Sequence, residues 1–286
     1  DIPRIVHLVF GLADDFAGKP WTVVNYLAVY AARRFVRPTA IHFYYRALPT
    51  GPWWAKTRPM LTLIRVRDVP TVFNRTVHYI EHKGDIIRLE ALLKYGGVYI
   101  DADSIILRSL DPLLTRANTS VIMGYQQMDQ NYVEEKGLCN AIVIAQPNAP
   151  FIRRWYEAYQ TLDKLWDQLS VRTPRTLAAL YPLEVRALPV RSFFWPSHWD
   201  VKHIWQLNTY DFSENYAMHL WASGARRLVP DAYKHFVDLQ SFCNHCSTLS
   251  RMARHIMDGD LKCDQPCTIT HDPANPPPEP GLPPAR

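Results

Sequence analysis

Short apolar runs recur through the first half of the chain, and stretches with helical spacing lie between several of them. The runs are rich in β-branched and aromatic residues, a composition typical of strands. We predict strands at Ile5–Phe10, Ile41–Tyr45, Leu61–Val66, Val98–Ile100, Ile105–Leu107, Val121–Tyr125 and Ala141–Ala145. Because the strands alternate with helices, the pattern predicts an α/β fold with a largely parallel sheet.

Two segments have the apolar spacing of helices. The pattern predicts helices at Trp21–Phe35 and at Gly84–Tyr95, the second of which ends at the pair Gly96-Gly97. Between them, the Trp- and Pro-bearing stretch Pro49–Pro59 is predicted to be a loop. After Pro150 the chain becomes helical and then irregular, so we expect a helical C-terminal annex to follow the sheet.

Composition narrows the class of protein. Hydrophobic residues make up 48% and charged residues 21% of the 286 residues, which is ordinary for a folded globular protein. The net charge of +5 is spread along the chain, whereas nucleic-acid-binding proteins concentrate basic residues in a stripe. We therefore expect no nucleic-acid partner. The sequence contains no uninterrupted run of about 18 apolar residues, so it predicts no membrane span.

Four of the five cysteines lie close together: Cys243, Cys246, Cys263 and Cys267. Their C-x2-C and C-x3-C spacing is compatible with a structural zinc site and with two disulfides. The sequons Asn74-Arg75-Thr76 and Asn118-Thr119-Ser120 indicate an oxidising compartment and favour disulfides. The opening Asp1–Arg4 has no signal-peptide pattern.

The segment Tyr99–Asp103 contains two carboxylates separated by one residue, between two short apolar strands. In an extended segment, Asp101 and Asp103 would project to the same side. Paired carboxylate oxygens suit Mg²⁺ or Mn²⁺, whose open positions phosphate oxygens can fill. A bare D-x-D usually means a solvated turn, but the apolar flanks place this pair at the edge of a sheet.

The preceding helix adds two polar groups, Asp85 and Arg88, which are three residues apart and share a face. One interpretation is a surface ion pair worth less than about 1 kcal/mol. The other is a carboxylate and a guanidinium that bind hydroxyls of a polar ligand beside the metal.

The block Lys83–Asp103 resembles the D-x-x-R … G-G-x-Y-x-D-x-D signature of family 32 glycosyltransferases, the DXD sugar-binding group. Weaker similarity extends from residue 2 to residue 221, at Ile2–Gly11, Asn140–Ala145 with Pro147, Ser170-Val171, Pro174 and Ala217–Trp221. One departure is Arg172-Thr173-Pro174, where the family often has T-G-P.

The resemblance implies a GT-A fold, a Rossmann-like sheet that binds a nucleotide sugar at the carboxyl ends of its strands. The GT-A catalytic domain would span residues 1–240, followed by a cysteine-paired annex over 241–271 and a mobile Pro-rich tail over 272–286.

The resemblance also assigns roles to individual residues. Asp101, Asp103 and His219 would hold Mn²⁺, with Mg²⁺ as the alternative, and Asp85 and Arg88 would join the two aspartates in catalysis. Donor-binding roles fall to His7, Tyr99, Asp85, Arg88, Asn140 and His219. Trp53 and Trp54 would cover the base or the acceptor, or else cap the core.

The implied activity is retaining transfer of a hexose from UDP-hexose or GDP-mannose to a hydroxyl of a glycan, a glycolipid or a protein. The alternative is a catalytically silent sugar- or partner-binding protein on the same fold. We expect the Golgi lumen or the secretory pathway, in a type II membrane protein whose N-terminal anchor lies outside this sequence, or a secreted protein.

Overall fold

A computed structural model describes residues 1–13, 15, 20–115, 118–129, 136–162 and 167–279. Its centre is a seven-stranded mixed sheet. The strands of the described chain are β1 (Ile5–Val9), β2 (Ala40–Tyr45), β3 (Thr62–Arg65), β4 (Thr71–Val72), β5 (Arg75–Thr76), β6 (Gly97–Ile100), β7 (Ser104–Ile106), β8 (Val121–Gln126), β9 (Gly137–Ala145), β10 (Val185–Leu188) and β11 (Ala217–His219).

The central sheet has the order β10-β8-β9-β6-β1-β2-β3. β1 pairs in parallel with β2 and β6, and the pairs β2–β3 and β8–β10 are also parallel. Only β9 within this sheet runs antiparallel to its neighbours, β6 and β8. All nine residues of β9 are buried, which explains its nearly continuous apolar sequence. The predicted α/β class with a largely parallel sheet is confirmed.

Helices cover both faces of the sheet. They are α1 (Val23–Val36), α2 (Pro52–Thr57), α3 (Ile80–Tyr95), α4 (Asp111–Leu114), α5 (Pro150–Glu157), α6 (Thr173–Leu180), α7 (Val190–Phe193), α8 (Lys202–Trp205), α9 (Ala222–Leu228), α10 (Pro230–His235), α11 (Ser241–Asn244) and α12 (Thr248–Ile256). No helix in the described ranges is both long enough and apolar enough to cross a membrane.

The alternation of β6 divides its side chains between two apolar clusters. Val98 and Ile100 pack into the cluster formed with α1 and α12, whereas Tyr99 packs into the cluster formed with α3 and α5. A strand that is buried on both faces in this way has little freedom to shift its register. The sheet therefore fixes where β6 ends, and with it the position of Asp101, the next residue in the chain.

Two sequence predictions of local structure need correction. Pro49–Pro59 is not a loop throughout, because Pro52–Thr57 forms α2 and Arg58–Met60 forms a 3₁₀ turn. Proline at the first helical position is favourable, since its missing N–H would have no partner there. The helix predicted from Gly84 begins four residues earlier at Ile80, because Gly84 is accommodated inside α3 against Val9 and Leu12.

Both disulfides predicted for the cysteine cluster are present, Cys243–Cys263 and Cys246–Cys267. They join the segment around α11 to the chain after α12. Phe242 and Leu249 from these helices are buried in the same apolar cluster as α1. The predicted annex therefore packs directly onto the main domain.

The described part of the Pro-rich tail lies against the domain. The indole N–H of Trp195 donates to the carbonyl of Pro278 (2.9 Å), and Arg191 pairs with Glu279. Residues 280–286 of the tail lie outside the described residues. The domain boundaries and the mobility of the tail stay predictions.

Candidate active site

The two aspartates of the D-x-D motif lie on a turn that directly follows β6. The Asp101 amide donates to the Ala141 carbonyl (2.8 Å), and the Ser104 amide donates to the Asp101 carbonyl (2.9 Å). The extended geometry predicted for this pair is therefore wrong, because the chain reverses here to enter β7. The turn nevertheless brings the carboxylates together: ligand atoms of Asp101, Asp103 and His219 all lie within 4.8 Å of one another.

His219 reaches the motif through strand pairing. β11 runs antiparallel to β7 and places His219 opposite Ser104, next to Asp103 in the chain. The Nε2 atom of His219 lies 3.2 Å from Oδ1 of Asp103. Burial alone would lower the pKa of His219, but the charge and hydrogen bond of Asp103 outweigh it and raise the pKa to about 10. Pairing with Asp103 thus stabilises the protonated form of His219, and a metal ion bound here would have to displace that proton, because only the neutral imidazole ligates a metal.

Asp103 is held on its other side by the chain that follows β11. Its Oδ2 accepts from the Ala222 amide (2.9 Å), and its backbone carbonyl accepts from the Leu220 amide (2.9 Å). Burial would raise the pKa of Asp103, but the charge and hydrogen bond of His219 and the hydrogen bond from the Ala222 amide hold that pKa below its ordinary value. Asp103 is therefore an anion near neutral pH.

Asp101 belongs to a buried network with α3. Its Oδ1 accepts from Nη2 of Arg88 (2.9 Å) and from the Tyr99 hydroxyl (2.8 Å). Arg88 also donates to the Asn140 carbonyl (2.8 Å), and its Nη1 lies 3.3 Å from Oδ1 of Asp85. Asn140 completes the network by donating its amide to that same Asp85 oxygen (2.7 Å).

Burial distinguishes this network from a surface ion pair. The side chains of Asp85 and Arg88 are each 7% exposed, so the surface interpretation is excluded. Burial raises the pKa of Asp85 above its ordinary value, although the charge of Arg88 acts in the opposite direction. The carboxylates of Asp101 and Asp85 and the ring of Tyr99, 4.0 Å from the guanidinium, keep Arg88 charged.

The pair Gly96-Gly97 fixes how α3 approaches the motif. Gly97 has φ 101°, and a Cβ at that position would lie 2.3 Å from the carbonyl oxygen of Ile5. Only glycine allows this backbone conformation and this close approach between β6 and β1. The two glycines therefore do more than end a helix, since they bring Arg88 and Asp101 into contact.

These residues face an open cavity of roughly 600 Å³ at the carboxyl ends of β1 and β6. Asp85, Arg88, Tyr99, Asn140, Asp101, Asp103 and His219 all line it. On one side the cavity is bounded by Val9–Leu12, which follow from β1, and by the start of α1. On the other side it is bounded by His198 and by residues of α9 and α10. Ligands of open α/β sheets bind at this edge.

The structure does not bring every candidate to the cavity. His7 is fully buried and does not line it; its Nδ1 lies 3.1 Å from the Tyr44 hydroxyl and its Nε2 lies 2.7 Å from the Gly96 carbonyl. Trp54 is a core residue, and Trp53 packs against Tyr26 outside the cavity lining. His7 thus supports the glycine turn from behind.

Several cavity residues were missed by sequence reasoning. The side chain of Asn25 accepts a hydrogen bond from the Thr22 amide (2.7 Å), in the capping box at the start of α1. It also donates to the Ala102 carbonyl (2.9 Å) inside the D-x-D motif. The Thr22-x-x-Asn25 spacing is a capping signal, but nothing in it points to the motif. The other missed lining residues include Gln126, His198, Trp221, Arg226 and Arg227.

The donor set fits a divalent cation. Two carboxylates and one imidazole suit Mn²⁺ better than Mg²⁺, because imidazole is a poor ligand for Mg²⁺. The second oxygen of Asp101 has no hydrogen bond from any residue of the described ranges, and the Asp101 side chain is 28% exposed. Asp101 therefore has an oxygen available to a ligand in the cavity.

Comparison with known proteins confirms the resemblance indicated by the sequence. Residues 41–120 match the model of the glycosyltransferase sugar-binding region containing the DXD motif. The chain is thus similar to glycosyltransferases of that DXD-containing, family 32 type. The seven-stranded, largely parallel sheet agrees with the α/β architecture expected from that resemblance.

Individual relatives agree with this class. The chain is 40% identical over 230 residues to Glucan organizing enzyme 1 of Cryptococcus neoformans var. grubii serotype A, an overlap of 78% of this chain and 63% of that protein. It is 31% identical over 90 residues to the O-glycosyltransferase braB of Annulohypoxylon truncatum, covering 30% of this chain and 21% of the relative. The chain therefore spans less than two thirds of the length of these relatives.

Among solved structures, the galactosyltransferase LgtC, determined with donor and acceptor sugar analogues, aligns with a TM-score of 0.43 and 15% identity. The alignment covers 75% of this chain and 86% of LgtC.

Proposed function

We propose that this chain is a glycosyltransferase that uses a divalent metal, Mn²⁺ or alternatively Mg²⁺, and transfers a hexose from UDP-hexose or GDP-mannose with retention of anomeric configuration. The acceptor is a hydroxyl of a glycan, a glycolipid or a protein. One observation carries the proposal: Asp101, Asp103 and His219 converge within 4.8 Å at a cavity that also contains the buried Asp85–Arg88 pair.

Asp101, Asp103 and His219 would hold the metal. When bound there, a divalent cation supplies positive charge that stabilises the diphosphate leaving group without a proton transfer. Arg226 and Arg227 also line the cavity, and their positive charge would help to stabilise the same diphosphate leaving group. The nucleoside would lie along Val9–Leu12, at the carboxyl end of β1.

The Asp85–Arg88–Asn140 network would bind the transferred hexose. Its groups are already held by one another, so they would meet sugar hydroxyls without a reorganisation of side chains. Tyr99 supports the network from beneath, since its hydroxyl contacts both Arg88 (3.0 Å) and Asp101 (2.8 Å).

Retention is proposed to follow the front-face route. The bond between the anomeric carbon and the phosphate oxygen breaks, the acceptor oxygen bonds to that carbon on the same face, and the leaving phosphate takes the acceptor proton. Asp85 and Asp101 are both engaged by Arg88, which disfavours either as a carboxylate nucleophile of the kind used by retaining glycosidases. A trapped glycosyl-enzyme adduct would contradict this route.

The printed name of the fungal relative refers to glucan, so we place glycans first among the acceptors. The two disulfides favour an oxidising compartment, and we propose the Golgi lumen or another part of the secretory pathway, with secretion as the alternative.

The test is release of UDP or GDP from a panel of nucleotide sugars, with Mn²⁺ and with EDTA. Asp103→Ala is the site variant, and Asp258→Ala, in an exposed aspartate with an 80% exposed side chain, is the matched control. We expect metal-dependent release from one donor, with turnover about 10³-fold lower in Asp103→Ala and unchanged in Asp258→Ala. A folded protein that releases nothing from any donor would instead support the alternative, a catalytically silent binding protein.

A further inference from the structure

Trp221 is held beside the metal-ligating residues in an unusual backbone conformation. It has φ 52° and ψ 44°, a left-handed geometry that non-glycine residues seldom adopt. Both neighbouring amides are tied to Asp103: the Leu220 amide donates to its backbone carbonyl (2.9 Å) and the Ala222 amide to its carboxylate (2.9 Å). The same contacts that hold Asp103 thus impose the conformation of Trp221.

The indole of Trp221 is positioned as one wall of the cavity. Its N–H donates to the Pro196 carbonyl (3.1 Å), and its ring centroid lies 4.0 Å from that of His219. The residue is half-buried and lines the cavity. Backbone strain of this kind persists where the surrounding structure enforces it, and it is frequent at ligand sites.

His198 extends this wall. Its ring centroid lies 5.5 Å from that of Trp221 and 3.6 Å from that of Trp199, and the residue lines the cavity. Burial lowers the pKa of His198 to about 4, so the ring is neutral near pH 7. Among the described residues, neither ring nitrogen has a hydrogen-bond partner, and Nδ1 is buried. Nε2 is therefore the nitrogen that a cavity ligand can reach.

The order of contacts separates two ends of the site. Asp85 and Arg88 contact Asp101, whereas Trp221 and His198 lie with His219 beside Asp103. If the hexose of the donor occupies the Asp85–Arg88 end, the opposite end is open to the second substrate. The ribose of a nucleotide separates its base from the phosphates that a metal would bind. The base is therefore poorly placed to stack on Trp221, whose ring contacts the proposed metal ligand His219.

We infer that Trp221 and His198 form a platform for a pyranose ring of the acceptor. Pyranosides present an apolar C–H face and polar edges, which match an indole face and a neutral imidazole N–H. This inference rests on the proposed transferase function, because it assigns the end of the same cavity that the donor leaves open. It narrows the acceptor from any hydroxyl compound to a glycan or glycoside that carries its reacting hydroxyl on, or next to, the pyranose ring stacked on Trp221.

The experiment measures binding separately from turnover. Saturation-transfer NMR is recorded for the methyl pyranosides of glucose, galactose and mannose, with the intact protein, UDP or GDP, and Mg²⁺, because paramagnetic Mn²⁺ would broaden the signals of a nearby ligand. We expect one pyranoside to receive saturation on its C–H face. Affinity should fall about 10-fold in Trp221→Leu, less in Trp221→Phe, which keeps an aromatic face, and several-fold in His198→Ala.

Trp53→Leu is the matched control, because Trp53 is also half-buried but lies outside the cavity lining. Its affinity for the pyranoside should equal that of the unmodified protein. If Trp221→Leu does not fold, Trp221→Phe and His198→Ala decide the question. Absence of pyranoside binding to the unmodified protein, or equal binding in the Trp221 and Trp53 variants, would overturn the platform.

Release of UDP or GDP by the same samples keeps the two proposals apart. Pyranoside binding that depends on Trp221, without nucleotide release from any donor, would contradict the transferase proposal and leave the platform standing. Nucleotide release together with pyranoside binding that does not depend on Trp221 would support the transferase proposal and contradict the platform.

Discussion

Asp101 and Asp103 share one turn, but different parts of the molecule hold them. Asp101 is bound by Arg88, 13 residues away, and by Tyr99, two residues away. Asp103 is bound by His219 and Ala222, 116 and 119 residues away. Apart from its contacts with Asn140 and Ala141 of β9, the Asp101 side is therefore a local unit of one helix, one glycine turn and one strand. The Asp103 side exists only after β11 has paired with β7. The Asp85 and Arg88 side chains of the first side are each 7% exposed, whereas that of His219 is 11% exposed. Because the first side holds a buried ion pair, its loss should affect stability more.

The largest expected effect is on stability, in Arg88→Leu. Removing the guanidinium leaves Asp85 as a buried carboxylate without its cation, so the free energy of unfolding should fall by about 3–5 kcal/mol. Urea unfolding monitored by circular dichroism measures it. The matched control is Arg154→Leu, whose ion pair with Glu184 is partly exposed and should contribute less than about 1 kcal/mol. Equal losses in the two variants would show that the Asp101 network is not a special source of stability.

On the Asp103 side, His219→Ala should affect metal binding more than stability. Loss of one ligand should raise the Mn²⁺ concentration for half-maximal nucleotide release by at least about 10–100-fold. A titration of Mn²⁺ against release from the active donor provides the measurement, with His271→Ala, in an exposed residue at the end of the annex, as the control. An unchanged Mn²⁺ requirement in His219→Ala would mean that the metal is held by other residues.

A smaller effect should come from His7, which supports the Asp101 side from behind the glycine turn. Burial lowers the pKa of His7 from 6.5 to about 4. Between these two pH values, His7 is therefore protonated in the unfolded chain but stays neutral in the folded protein. Because this proton stabilises only the unfolded state, the contribution of His7 should lower the free energy of unfolding as the pH falls from about 6.5 to about 4. The decrease should be roughly 1–2 kcal/mol between pH 7 and pH 5. His7→Gln, which cannot take up this proton, should lose less stability over that range.

Thermal unfolding of both proteins at pH 7, 6 and 5 measures this difference, with His271→Gln as the control. A pH dependence that is identical in His7→Gln and the unmodified protein would assign the acid sensitivity to other groups.

Sequence reasoning was most successful where the chemistry is local. The signature from Asp85 to Asp103 predicted the helix face, the glycine turn and the paired carboxylates, because these lie in one helix–turn–strand unit. It failed to predict that the D-x-D pair lies on a reverse turn, because the hydrogen bond from Ser104 to Asp101 depends on where β7 is paired. The resemblance implied a donor-binding role for His7, but its side chain lies against Tyr44 and Gly96, outside the cavity lining.

The sequence by itself determined the α/β class, indicated the resemblance to DXD-containing glycosyltransferases and singled out Asp85, Arg88, Asp101 and Asp103, since each depends on apolar periodicity or on residues close together in the chain. Only the tertiary structure decided that Asp85 and Arg88 are buried, that the cysteines form two disulfides, and that Asn25 reaches the motif. It also decided that His198 and Trp221 share a wall beside His219. These relationships join residues far apart in the chain, and their geometry is set by strand pairing and packing, which periodicity does not encode.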